Sequence, residues 1–143
     1  MPIRKIMPIQ EYIKPAKEVV SITPVEESLI QDLIDTARAE NEICLSAPRI
    51  GSLKRIAVLK ESSDDSYVAL INPRILDGFG SAVVSESCPK GSGKSKRSLR
   101  ARMVLVEYQT QKGEVSERIF SDFASYGIQI ELDMINCHDE IEN

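Results

Sequence analysis

The chain has 143 residues, 42% hydrophobic and 28% charged, with a net charge of −4. That length suits a single domain spanning residues 1–143, and the composition excludes a disordered chain. No apolar run approaches the roughly 20 residues that cross a bilayer, and Met1-Pro2-Ile3-Arg4-Lys5 lacks a secretory apolar core. A cytoplasmic protein with no membrane partner is therefore expected, an organellar leader being left open.

Residues 1–23 contain Pro2, Pro8 and Pro15 and read as an extended arm. Thr23-Pro24-Val25-Glu26 then forms a capping box with proline at the first helical position. Leu29, Ile30, Leu33, Ile34 and Ala37 follow at helical spacing, which predicts an amphipathic helix from about Pro24 to Ala39. After it the period shortens. Arg55–Lys60, Tyr67–Asn72, Ser81–Ser85, Arg102–Gln109 and Glu114–Phe120 are rich in β-branched residues and bounded by turn signals, among them Asp77-Gly78 and Gln111-Lys112-Gly113. The last two strands read as a hairpin. Pro89–Lys96, rich in glycine, serine and lysine, reads as a mobile loop. Ser121 or Asp122 caps a second helix that carries Phe123, Ala124, Ile128, Leu132 and Ile135. One helix, a run of strands and a closing helix indicate an α+β domain.

Three cysteines, Cys44, Cys88 and Cys137, show neither a disulfide framework nor a zinc-knuckle spacing, so free thiols are expected. His138 is the single histidine, which excludes any mechanism that needs two. Charge is polarised. Between Lys90 and Arg102 lie six basic residues and no acid, leaving 12 basic residues against 22 acids elsewhere.

Three segments, in order, resemble the signature motifs of peptide deformylases. Glu42-Ile43-Cys44-Leu45-Ser46-Ala47-Pro48-Arg49-Ile50-Gly51 is similar to Gly-x-Gly-Leu-Ala-Ala-Pro-Gln-Ile-Gly. Glu86-Ser87-Cys88-Pro89-Lys90 stands for Glu-Gly-Cys-Leu-Ser, and Gln129-Ile130-Glu131-Leu132-Asp133-Met134-Ile135-Asn136-Cys137 for Gln-His-Glu-x-Asp-His-Leu-Asn-Gly. Leu70-Ile71-Asn72-Pro73 is close to the family's Ile-Asn-Pro strand. The resemblance spans almost the whole chain and implies the peptide-deformylase-like fold, with small antiparallel sheets around a C-terminal motif helix and one N-terminal helix.

Deformylases hold zinc or iron with one cysteine and two histidines one helical turn apart. Here those histidine positions carry Ile130 and Met134, so of the three ligands Cys88 alone remains and no metal is expected. The motif-one glutamine, an oxyanion donor in the family, falls at Arg49. The residue that would give the second donor is Pro89, which has no N–H. Glu131 keeps the position of the family's general acid/base, Asp133 is retained, and Glu86 with Arg100 is expected to form an ion pair beneath the site.

These losses imply a deformylase-fold pseudoenzyme that takes no cofactor and acts by binding. Cys88 and Glu131 stand at vestigial catalytic positions, Cys88 as an inert thiol and Glu131 as a relic or as a contact for a peptide amine. Arg49, Ile50, Gly51, Pro89, Ile130 and Met134 form the candidate binding groove, for a peptide N-terminus. The basic loop, with Lys90, Lys94, Lys96 and Arg97, is either a solvated turn or a contact for an RNA-bearing, ribosome-linked partner. Two alternatives remain open: a divergent deformylase with a rearranged site, and a purely structural assembly component.

Overall fold

The computed structural model describes residues 3–4, 15–61, 66–87 and 95–136, with backbone alone for 86–87 and 95–96. The first helix, α1 (Pro24–Glu40), begins where the capping box predicts. Thr23 Oγ1 accepts from Val25 N at 3.2 Å, and the Glu26 carboxylate accepts from Thr23 N at 2.8 Å. The helix stops at Asn41, whose φ of 58° lies in the left-handed region, where asparagine is one of the few tolerated residues.

Glu26 also binds Lys54, and these contacts hold its carboxyl at about 2, from an ordinary 4.5. A lowered pKa stabilises the fold fully above the unfolded value, and the contribution is lost as pH falls from about 4.5 through about 2. Glu26→Gln should therefore flatten the acid limb of a denaturation-versus-pH curve. An unchanged acid limb would show that the helix start carries no such linkage.

Among the described residues seven strands follow: β1 (Cys44–Ser46), β2 (Ile56–Lys60), β3 (Tyr67–Phe79), β4 (Ala82–Ser87), β5 (Ser95–Arg100), β6 (Met103–Gln109) and β7 (Val115–Ser121). Five make an antiparallel sheet in the order β1-β2-β3-β6-β7, and β4 pairs with β5 in a separate ribbon. The final helix is α2 (Asp122–Asn136). Side chains alternate along β2, and both of its faces are buried. Ile56 and Val58 join Leu29, Ile30, Leu33 and Ala37 of α1 in one core. Ala57 and Leu59 join Ile128, Leu132 and Ile135 of α2 in the other. The two helices thus cover opposite faces of the sheet, and the α+β class stands. Residues 15–23 run along the edge. Ala16 N donates to Ile135 O at 2.9 Å, and Lys17 bridges Lys54. Among the described residues no helix is long and apolar enough to cross a bilayer.

Three segments depart from the sequence reading. The strand expected to end at Asn72 continues to Phe79, through register shifts between Ile71 and Arg74 and between Ile75 and Asp77. The Asp77-Gly78 turn signal is silent because Gly78 packs against Ala101; an added Cβ there would lie 3.2 Å from the Ala101 Cβ. The chain reverses at Gly80, with φ at 68°. Strand β1 was not anticipated, since three wholly buried residues carry no alternation.

The basic loop is corrected in part. Lys96 and Arg97 belong to strand β5, in register with Glu86 and Ser85 of β4. Charged residues suit an exposed two-stranded ribbon, and they hide its period from sequence. Lys90 and Lys94, with the rest of 88–94, lie outside the described residues.

Candidate functional site

Strand β1 ends at Ser46 and passes into a 3₁₀ turn, Ala47–Ile50. Pro48 opens this turn and Gly51 closes it at a φ of 92°, its N–H donating to Pro48 O at 3.1 Å. The turn buries Ile50 and leaves Gly51 exposed, with Arg49 between them. Helix α2 packs against β1 and this turn. At Gly127 the two backbones approach so closely that an added Cβ would lie 3.2 Å from the Cys44 Cβ.

Glu131, 2% exposed, is the centre of the contact. Its Oε1 accepts from Ser46 N at 2.9 Å and from Ser46 Oγ at 2.7 Å. Its Oε2 accepts from Arg49 Nη1 at 2.7 Å. The Arg49 side chain is 20% exposed against 3% for that of Glu131, so the cation covers the carboxylate. A second acid, Glu42, comes within 3.9 Å of the same Nη1. Burial pushes the Glu42 carboxyl up, Arg49 opposes that, and the Glu131 charge adds to it. The Cys44 thiol is pushed well above its usual range by burial, then by Glu131. It is a neutral thiol at pH 7 and no nucleophile.

Residues 130 and 134 are i and i+4 and share a side of α2 next to Glu131. Ile130 there is half-buried and Met134 is 7% exposed. Of the residues singled out from sequence, Glu131, Arg49, Ile50, Gly51, Ile130 and Met134 therefore gather where α2 meets β1 and the turn. Cys88, Pro89 and His138 lie outside the described residues. Arg100 donates to Asp133 Oδ2 at 2.8 Å, while the Glu86 side chain expected beside it is outside the described set.

An ion of the family's kind needs imidazole nitrogens at 130 and 134, and the side chains present offer a hydrocarbon and a thioether. Glu131 already accepts from three donors, two on Oε1 and one on Oε2. Among the described residues no three His, Cys, Asp or Glu side chains are grouped to hold a metal. The residues that are described do not fit the ion.

Ser46 and Glu42 escaped the sequence reading. Their signal lay inside the first motif, where Ser46 replaces the family's alanine and Arg49 its glutamine. One turn of chain thus gains a hydroxyl and a cation, and both point at the carboxylate of the third motif.

The polypeptide deformylase family profile matches residues 3–141. A peptide deformylase of Halothermothrix orenii is 29% identical over 138 residues, covering 95% of this chain and 90% of that protein. One from Clostridium botulinum is 31% identical over 123 residues, 86% of this chain and 82% of that protein. Among solved structures, the peptide deformylase of Thermotoga maritima superposes with a TM-score of 0.86 at 25% identity, covering 100% of this chain and 98% of that one. A Legionella pneumophila peptide deformylase gives 0.87 at 26% identity, over 96% of this chain and 83% of that one. With its topology, its motif order and its sequence all in agreement, this chain belongs to the polypeptide deformylase family.

Proposed function

We propose that this deformylase-like protein binds peptide N-termini without hydrolysing them, and that its ancestral metal position holds no ion. The carrying observation is the occupancy of Glu131 by Ser46 and Arg49. A general acid/base must exchange a proton with a reacting group within hydrogen-bond reach. A carboxylate that accepts from a backbone amide, a hydroxyl and a guanidinium has its oxygens turned into the protein. One of the two replacements that tie it down, Arg49, also removes the family's glutamine, an oxyanion donor. Pro89 has no N–H to serve as the other. Removing one such donor lowers a rate by about 100- to 1,000-fold.

What remains suits recognition. Glu42 keeps 35% of its side chain exposed beside the turn and is the acid there that a peptide ammonium can reach. Gly51 offers exposed backbone and the half-buried Ile130 some apolar surface, while Met134 is buried where the family has an imidazole.

A second reading is a divergent deformylase that works with Cys88 and Glu131. It is favoured by the relatives, which are named as peptide deformylases. One experiment separates the readings. The protein is purified with iron, nickel or zinc supplied, its metal content is measured, and formyl-methionyl and unformylated tripeptides are both presented. The expected result is metal well below one ion per chain, no formate above the blank, and binding of the unformylated peptide that weakens in Glu42→Gln. Steady formate release establishes the second reading. Absence of both turnover and binding leaves an assembly component.

A further inference from the structure

The two edges of the five-stranded sheet are unlike. Strand β1 is three residues long and wholly buried, with α2 packed against it. Strand β7 is seven residues long, pairs with β6 without a register shift, and contains neither proline nor lysine. Edge strands are normally blunted by shortness, lysine, proline or a bulge, because a row of unpaired N–H and C=O groups templates another strand.

Hydrogen bonds at both ends of the β6–β7 ladder define which groups are unpaired. Thr110 N donates to Glu114 O at 2.8 Å, and Asp122 N to Arg102 O at 2.9 Å. Even-numbered residues of β7 therefore bond to β6, and Val115, Glu117 and Ile119 turn their N–H and C=O groups outward. Among the described residues nothing bonds to those groups. The edge is also apolar in part: Val115, Ile119 and, just past the strand, Phe123 are 66%, 54% and 73% exposed.

A second copy of this chain fits the charge pattern of the edge. Two β7 strands related by a two-fold axis run antiparallel, and the alternation of their outward groups requires the axis to pass through a residue pair. Registers that pair five or more residues are centred on Glu117, Arg118 or Ile119. The first sets two carboxylates directly opposite each other and the second two guanidiniums, and both oppositions are unfavourable. The third sets Ile119 against Ile119 of the second copy, Glu117 against its Ser121, and Arg118 against its Phe120. Of the three, this register alone opposes no like charges. Arg118 is neutralised by Glu61 at 2.9 Å and lies 5.3 Å from the centre of its own Phe120 ring, so a second ring is a compatible neighbour. Val115 is then carried to the end of the neighbouring strand, toward the exposed Phe123.

We propose that β7 pairs with β7 of a second copy, antiparallel and centred on Ile119, joining the two sheets into one. Seven strand residues a side fall below the roughly 20–30 of a standard interface, so the dimer is of the weak class, forming in the micromolar range. It uses no residue of the Glu131 region and does not depend on what that region does.

Sedimentation velocity between about 5 and 500 µM should follow the passage from monomer to dimer. Ile119→Lys and Ile119→Glu each change an exposed side chain, so the thermal midpoint of the monomer should stay near the parent's. Each alone should weaken self-association about tenfold or more, by setting like charges across the axis. Mixed, the two variants should associate with each other more tightly than either does with itself, since position 119 then faces the opposite charge. Hydrogen exchange supplies a reading without mutation: the Ile119 amide should be protected at the high concentration and open at the low one, while the Phe120 amide is protected at both. A parent chain that stays monomeric throughout overturns the proposal. So does a dimer that Ile119→Lys leaves intact or tightens, which would place another residue opposite 119 or another surface in the contact. Failure of the mixed variants to associate overturns the register.

Discussion

Ile130→His combined with Met134→His is expected to bring back metal binding while leaving deformylation at least about 100-fold below that of the active relatives. The two positions are one helical turn apart on the side of α2 next to Glu131, so two imidazoles there can reach one ion. Hydrolysis asks for more than an ion. Glu131 would still be held by Ser46 and Arg49, and the oxyanion would still lack both the glutamine and the N–H that Pro89 cannot supply. Adding Arg49→Gln releases one carboxylate oxygen and returns an amide donor, so the triple variant should recover part of the deficit. Cobalt absorption reports the ion and formate release reports turnover. A double variant that turns over within tenfold of an active relative would mean that Arg49 and Pro89 do not limit the reaction.

The second large effect is on stability. Arg49→Ala should cost about 3 kcal/mol, because it leaves a buried carboxylate without its cation. The figure belongs at the low end of the usual range for two reasons. Arg49 keeps 20% of its side chain in solvent, and Ser46 continues to donate twice to Glu131. Replacing both partners with apolar residues, Arg49→Met with Glu131→Leu, should be much milder, since no charge is then stranded. Urea denaturation of the single and double variants reads the coupling directly. If Arg49→Ala unfolds at the parent's midpoint, the pair contributes nothing to stability and Glu131 is already solvated. In that event Glu131 is also available for proton transfer.

Local chemistry decided much of this protein from sequence alone. Thr23, Pro24 and Glu26 set the start of α1, and the apolar spacing from Leu29 to Ala37 carried it to Glu40, one residue past the expected Ala39. Gly113, at a φ of 84°, closes the β6–β7 hairpin where Gln111-Lys112-Gly113 indicated. Such signals are readable because they operate within a few residues. The motifs likewise placed Glu131, Arg49, Ile130 and Met134 at one site by position. Tertiary structure decided whatever depends on what lies across the sheet. Asp77-Gly78 is a turn in isolation and a strand once Ala101 is beside it. Lys96 and Arg97 belong to a loop by composition and to a ribbon once β4 pairs with them. Arg49 and Glu131 are 82 residues apart, and sequence had assigned each a separate role, one a lost donor and the other a surviving base. Only the packing of α2 on the turn after β1 brings their opposite charges to 2.7 Å in a buried setting, and at that distance neither group can be described without the other.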